Sequence, residues 1–367
     1  MKSNLFKISP VLIVLLLFSY SVSSQSFTKE NKVVRSFALT DETETVITNK
    51  YGDITLESWD KDSIRIEIHY KVISTKESKL DKTFDAINFD FKANQYYIVA
   101  STVFEGKGSF WTDVSDIASN LFASGTNTTI DYIVYIPEDK HISLNLKYGS
   151  VYMANHTGFF KLILSNGDFK AHNLTGDTEL EIEFGDATIN KITEGSVSVK
   201  YGNCNLEKAE KLILTGQSAE FYLGIINDLT LDSKRDKITI EEVGSLFGKT
   251  YFSRVVVEEI FDRIDLSTKY GSFKLNEFGS NVKNIKLNLN NTSVNLFFRK
   301  GNNYALNIIS DDDAEITYSA ELGDFTTKDL PGKEKIKEAN CLIGAKDQAI
   351  PITIDIRSGL LTLKMRN

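Results

Sequence analysis

Cysteine is almost missing from this sequence: Cys204 and Cys341 are the only two in 367 residues. Two cannot build a disulfide framework, and neither stands in a metal-ligand spacing, so the core must come from apolar burial. Proline is also scarce, with four residues, and no proline-rich or glycine-serine stretch is long enough for a stalk or linker. The four histidines are His69, His141, His156 and His172. Once the repeats described below are aligned, His156 matches Leu174 and His172 matches Ala154, so these two do not stack into a metal pair. No nucleophile elbow, P-loop or dinucleotide fingerprint occurs. No segment beyond the N-terminus has about 18 unbroken apolar residues, so no transmembrane segment is expected once the leader is removed. Basic charge is in deficit as well: a formal net charge of −8 argues against nucleic acid or an anionic membrane surface as the main partner.

What is present begins with a leader. Lys2 and Lys7 form a basic region, Val11–Ser19 is apolar, and Val22, Ser23 and Ser24 supply small residues before Gln25. This pattern predicts a secretory signal peptide over residues 1–24 and an exported protein, in the periplasm or at the cell surface. No cysteine follows the apolar run, so no lipid-modified N-terminus is expected.

The remainder repeats itself. "NKYGDITL" at Asn49–Leu56 returns as "LKYGSVYM", "IEFGDATI", "VKYGNCNL" and "TKYGSFKL". With the glycine as position zero, apolar residues fall at −5, +2 and +4 and, in three of these five copies, at −3, the alternation of strands with one buried face. Gly149, Gly167, Gly185 and Gly202 follow one another at 18, 18 and 17 residues, and Gly52 and Gly271 carry outlying copies. Such a period without helical patterning predicts an all-β, single-stranded β-helix or solenoid with rungs of about 18–20 residues. A β-sandwich also has short strands, but it would not keep corner residue types in register.

Further expectations follow from the pattern. The parity slip at each glycine predicts a bend that the glycine supplies, making Gly52, Gly149, Gly167, Gly185, Gly202 and Gly271 structural corners. The aromatic at −1 (Tyr51, Tyr148, Phe184, Tyr201, Tyr270) is expected to plug the inside of that corner, and Cys204 to be a core residue. Residues 25–140 read as a first rung followed by an antiparallel meander that caps or flanks the rungs, and residues 141–367 as the repeat region. The run from Gly106 to Thr129 breaks the pattern and reads as a loop. The copies between Lys234 and Tyr251 and between Asn302 and Glu338 depart from the repeat, leaving the rung count open there.

The phrases "TIDYIVYIPEDKHISLNLKYGSVYM", "KYGDITLESWDKDSIRIEI" and "PITIDIRSGLLTL" resemble the bacterial putative-adhesin β-solenoid domains, exported repeat proteins with a head-GIN-like relative. The resemblance implies a solenoid and a surface role. It brings no catalytic residues and no cofactor.

Candidates for chemistry are few. Asp168 and Asp186 sit at +1 in consecutive copies, where stacked carboxylates could hold calcium or, more simply, hydrogen-bond backbone at a turn. Phe110 and Trp111, in the irregular run, are candidate partner contacts. The function expected is therefore a non-enzymatic, exported binding surface for an envelope or surface partner, protein or polysaccharide. An envelope signalling component is the alternative, and a carbohydrate-active enzyme a third reading.

Overall fold

A strand with one apolar face must stack on another strand to bury it, and a repeated strand can stack on its own copies. The computed structural model describes residues 26–104, 125–330 and 335–366, which divide into two compact units. Of the described residues, the larger unit holds Lys32–His69, Phe89–Val103 and those from Ile130 onward; the smaller holds 26–31, Tyr70–Asn88, Phe104 and 125–129. The expected leader, Phe110 and Trp111 all lie outside the described residues. No described helix is long and apolar enough to cross a membrane.

The larger unit is a parallel β-solenoid. Its first ladder carries Leu144, Leu162, Leu180, Val197, Leu214, Leu231, Gly248, Leu266 and Leu287 in direct register, so each turn of chain from Leu144 to Leu266 takes 17 or 18 residues. A second ladder aligns Val151, Phe169, Ala187, Cys204, Phe221, Ile238, Val255 and Phe273. A single inward residue marks the bend between them: His156, Leu174, Ile192, Ala209, Ile226, Val243, Ile260 and Phe278. All but Gly248 are buried. Each large aliphatic or aromatic side chain so enclosed contributes about 1.5–3 kcal/mol, and the columns share it between rungs. Lys237–Tyr251 pairs in constant register with the rung before it and, after a one-residue shift between Val243 and Ser245, with the rung that follows, so that stretch is a rung of the solenoid.

Both ends of the ladders are built by insertion. Glu44–Lys50 lies between Tyr97–Phe104 and His141–Lys147, parallel to both, and Ile54–Ser58 lies between Thr126–Ile136 and Val151–Met153. At the other end Ile350–Arg366 runs between Asn284–Arg299 on one side and Tyr304–Asp311 with Ala314–Tyr318 on the other. Antiparallel Ile336–Ile343 and then Thr326–Asp329 continue from Tyr304–Asp311.

Antiparallel strands are present near the N-terminus, where the ion pair Lys32–Glu67 and the hydrogen bond from Leu39 N to Asp62 O set a falling register between Phe27–Ala38 and Ser63–Ser74. The excursion is nonetheless no simple meander. Its strands Tyr97–Phe104 and Thr126–Ile136 are parallel members of the solenoid ladders, which alternation cannot reveal because it has the same period in either direction.

The smaller unit contains the helix Glu77–Asp85, which the strand reading of this region overlooked. Leu80 and Phe84, four residues apart, supply its buried stripe. Phe84 stacks on Tyr70 at 4.9 Å, and the Lys29 ammonium lies 4.7 Å over its ring while pairing with Asp81 and Asp85.

Candidate functional site: an outward aromatic corner

The residue before each corner glycine, not the glycine, takes the left-handed conformation. Positive φ values of 49–69° occur at Tyr51, Tyr148, Asn166, Phe184, Tyr201, Ser218, Arg235, Phe252, Tyr270, Asn291 and Ser358, one per rung in register. None of Gly52, Gly149, Gly167, Gly185, Gly202 or Gly271 has positive φ. The expected cause of the corner is thereby corrected. Each left-handed non-glycine residue costs about 1–2 kcal/mol. The cost is offset because its amide continues the inter-rung ladder: Tyr148 N to Ser165 O at 2.9 Å, Phe184 N to Lys200 O at 3.0 Å, Phe252 N to Lys269 O at 2.9 Å. The glycines are required instead by close approach. A β-carbon on Gly149, Gly167, Gly185 or Gly202 would lie 1.8–2.0 Å from the carbonyl oxygen of the glycine one rung back.

The left-handed turn also overturns the inward placement of the aromatics. Alternation alone would send the −1 side chain into the core, but positive φ rotates it out of the strand pattern and into solvent. Tyr148, Phe184, Tyr201, Phe252 and Tyr270 are 44–56% exposed. They stack along the ladder in pairs: Tyr51–Tyr148 at 5.5 Å, Phe184–Tyr201 at 4.9 Å and Phe252–Tyr270 at 5.0 Å, with ring planes within 15° of parallel. Such pairs contribute about 0.5–1.5 kcal/mol beyond area burial, so part of the corner's cost returns here. Lys50 and Lys147 lie over the first pair, and burial together with Tyr148 pushes the Tyr51 phenol up to about 12.

The +1 position shows two kinds of corner. In the first rungs each +1 side chain accepts the +1 amide of the next rung: Asp53 from Ser150 at 2.7 Å, Ser150 from Asp168 at 3.2 Å, Asp168 from Asp186 at 3.1 Å, and Asp186 from Asn203 at 2.8 Å. Asp168 and Asp186 thus act as backbone caps, and among the described residues no group of three or more His, Cys, Asp or Glu is arranged to hold a metal. From Gly202 onward the +1 amide bonds a backbone carbonyl instead: Glu220 N to Gly202 O, Lys237 N to Ala219 O, Arg254 N to Asp236 O. That exchange frees the +1 side chains and admits residues larger than glycine at position zero. Asp236 fills one such place, buried, accepting from Ala219 N, Lys234 N and the Ser233 hydroxyl. Burial raises its pKa, and those donors act in the opposite direction.

Other sequence candidates fall apart in space. His156 is buried in an aliphatic column with Nε2 unpartnered, and its pKa is lowered by burial. His172 lines an open depression of about 420 Å³ with Glu57, Tyr152 and Lys170. Cys204 is buried and unpaired, its thiol pushed up to about 12 by burial; Cys341 contacts Leu322 O. The sequence reading missed Arg235 and Phe252 as corner residues. The signal was present: 17-residue steps from Tyr201 land on Ser218, Arg235 and Phe252. The missing glycine at Ala219, Asp236 and Ser253 hid it.

No family model matches the chain, and no curated protein matches it. Among crystal structures it is similar to a putative adhesin from Bacteroides fragilis, at 10% identity and a TM-score of 0.31, over 92% of this chain and 97% of that one. It is also similar to a putative cell adhesion protein from Clostridium sporogenes, at 10% identity and a TM-score of 0.22, over 92% and 100%. A putative lipid binding protein from Parabacteroides distasonis is a third, at 10% identity and a TM-score of 0.28, over 92% and 97%. At such TM-scores the likeness carries no functional weight.

Proposed function

We propose that this chain is an exported, non-enzymatic, adhesin-like binding protein of the bacterial envelope that meets its partner along the aromatic corner. The observation that supports this most is the row of large aromatic side chains held open to solvent at Tyr148, Phe184, Tyr201, Phe252 and Tyr270. Their outward pose is a property of the backbone, so it is present before any partner arrives, and rigid aromatic contacts bind at low ordering cost. Export rests on the basic and apolar leader pattern of residues 1–24.

The test is retention of purified residues 25–367 on immobilised cell-envelope material, with Phe184→Asn and Phe252→Asn compared. Asn already occupies this left-handed position at Asn166 and Asn291, so the fold tolerates it. Retention that falls in the variants while their melting is unchanged supports the reading. Release of cleaved sugar or peptide products by the wild type would replace it with an enzymatic one.

A further inference from the structure

Charge along the corner is not spread evenly. Three consecutive rungs bring Lys234 and Arg235, then Tyr251, Phe252 and Arg254, then Lys269 to one stretch of edge, with Lys234, Tyr251 and Lys269 in direct register. Lys234, Arg235 and Arg254 are exposed. The ion pairs nearby, Lys237–Glu220 at 3.7 Å and Lys249–Asp232 at 3.1 Å, leave all three out. Lys269 lies 5.7 Å over the Tyr251 ring. Among the described residues, Asp236 is buried beneath the cluster and occupied by backbone and hydroxyl donors, and Asp355, in the depression beside it, is paired with Arg357 at 2.9 Å. At the other bend of these same rungs Glu242, Glu259 and Glu277 stand in register, the last paired with Arg299 and Arg366. This cluster belongs to a protein of net charge −8.

The change of corner type produces this arrangement. Where +1 side chains cap the next amide, as Asp168 and Asp186 do, acidic or small polar groups are required. Past Gly202 the carbonyl takes over that role, and the exposed Arg254 side chain is not used as a cap. Beside the cluster is a depression of about 450 Å³ whose lining includes Ser267, Asn288 and Tyr251. We propose that the corner edge at Lys234, Arg235, Tyr251, Phe252, Arg254 and Lys269 binds an anionic polysaccharide. Guanidinium and ammonium groups take the carboxylate or sulfate groups, Phe252 and Tyr251 offer ring surface to sugar C–H faces, and the hydroxyl and amide groups of the depression meet sugar hydroxyls. Rungs about 4.8 Å apart set these groups in a line, which suits a linear polymer. Flanking carboxylates, Asp232 and Glu220 among them, keep the basic stretch short and disfavour a densely charged phosphate chain.

This rests on the binding reading above and names its ligand class. The experiment measures binding of residues 25–367 to polygalacturonate and dextran sulfate, with neutral dextran, phosphatidylglycerol vesicles and single-stranded DNA alongside. The variant is Arg235→Ser with Phe252→Asn and Arg254→Ser. Each replacement copies a residue found at the same position of another rung, namely Ser218, Asn291 and Ser272. The expected result is binding of both anionic glycans that weakens with added salt and falls roughly tenfold or more in the variant. Equal binding of neutral dextran, tighter binding of vesicles or DNA, or unchanged affinity in a folded variant would overturn it. If the triple variant melts early, Arg235→Ser alone carries the comparison. Retention on envelope material without glycan binding sinks this inference and leaves the binding reading standing; loss of both sinks both.

Discussion

A β-carbon placed on Gly185 would stand 1.8 Å from the carbonyl oxygen of Gly167, one rung back. No side-chain rotation relieves this, because both atoms belong to backbone. Gly185→Ala must therefore separate two rungs locally, and a loss of about 1–3 kcal/mol is expected. Chemical denaturation checks it. Ala219→Gly, where the backbone already accommodates a β-carbon, is expected to cost less than half as much.

Asp186 caps the amide of Asn203 and also accepts from its side-chain amide at 2.9 Å. Asp186→Ala removes both bonds and is expected to cost about 1 kcal/mol, while Asp186→Asn retains an acceptor and costs less. Because this carboxylate serves as a cap, exchanging calcium for EDTA is expected to leave the melting temperature within one degree or so. A rise of several degrees with calcium would reassign Asp168 and Asp186 to metal.

His156 gives acid sensitivity a sign. Its ordinary pKa is near 6.5, and burial holds the native value below that. Above pH 6.5 the imidazole is neutral in both states and carries no penalty. As pH falls beneath about 6.5 the unfolded chain takes up the proton first, so stability drops until the native pKa is reached, by at most about 1.4 kcal/mol per pH unit for one proton. His156→Leu, matching Leu174 in the same column, is expected to remove this component. Equal pH slopes between pH 7 and 5 for the two proteins would contradict it.

Ile350–Arg366 separates Asn284–Arg299 from the strands Tyr304–Asp311 and Ala314–Tyr318. Ending the chain at residue 349 should release the segment from Tyr304 onward and leave Asn284–Arg299 with an open edge. Limited proteolysis is expected to trim the truncated protein to a fragment ending near residue 300, with the central rungs still protected.

Period and alternation determined the solenoid by themselves, since +2 and +4 are apolar in each stacked rung and −5 in all but the one with Gly248, even where −3 turns polar at Ser233, Thr250 and Thr268. Cys204 as core, and Asp168 and Asp186 as groups able to hydrogen-bond backbone, followed from the same register. The direction of Tyr148, Phe184 and Tyr201 did not. It depends on φ at a single residue, which the sequence expresses only as an aromatic before a glycine, a pattern equally suited to a plugged corner. Only the stacked rungs decide it: the residue before the corner is left-handed whether Gly185 and Gly202 or Ala219, Asp236 and Ser253 follow it, and that φ swings its side chain outward. The basic cluster at Arg235 and Arg254 is likewise a tertiary result. Residues 17–19 apart in sequence become neighbours only when rungs stack in register, and the release of Arg254 depends on which oxygen of the rung before receives an amide.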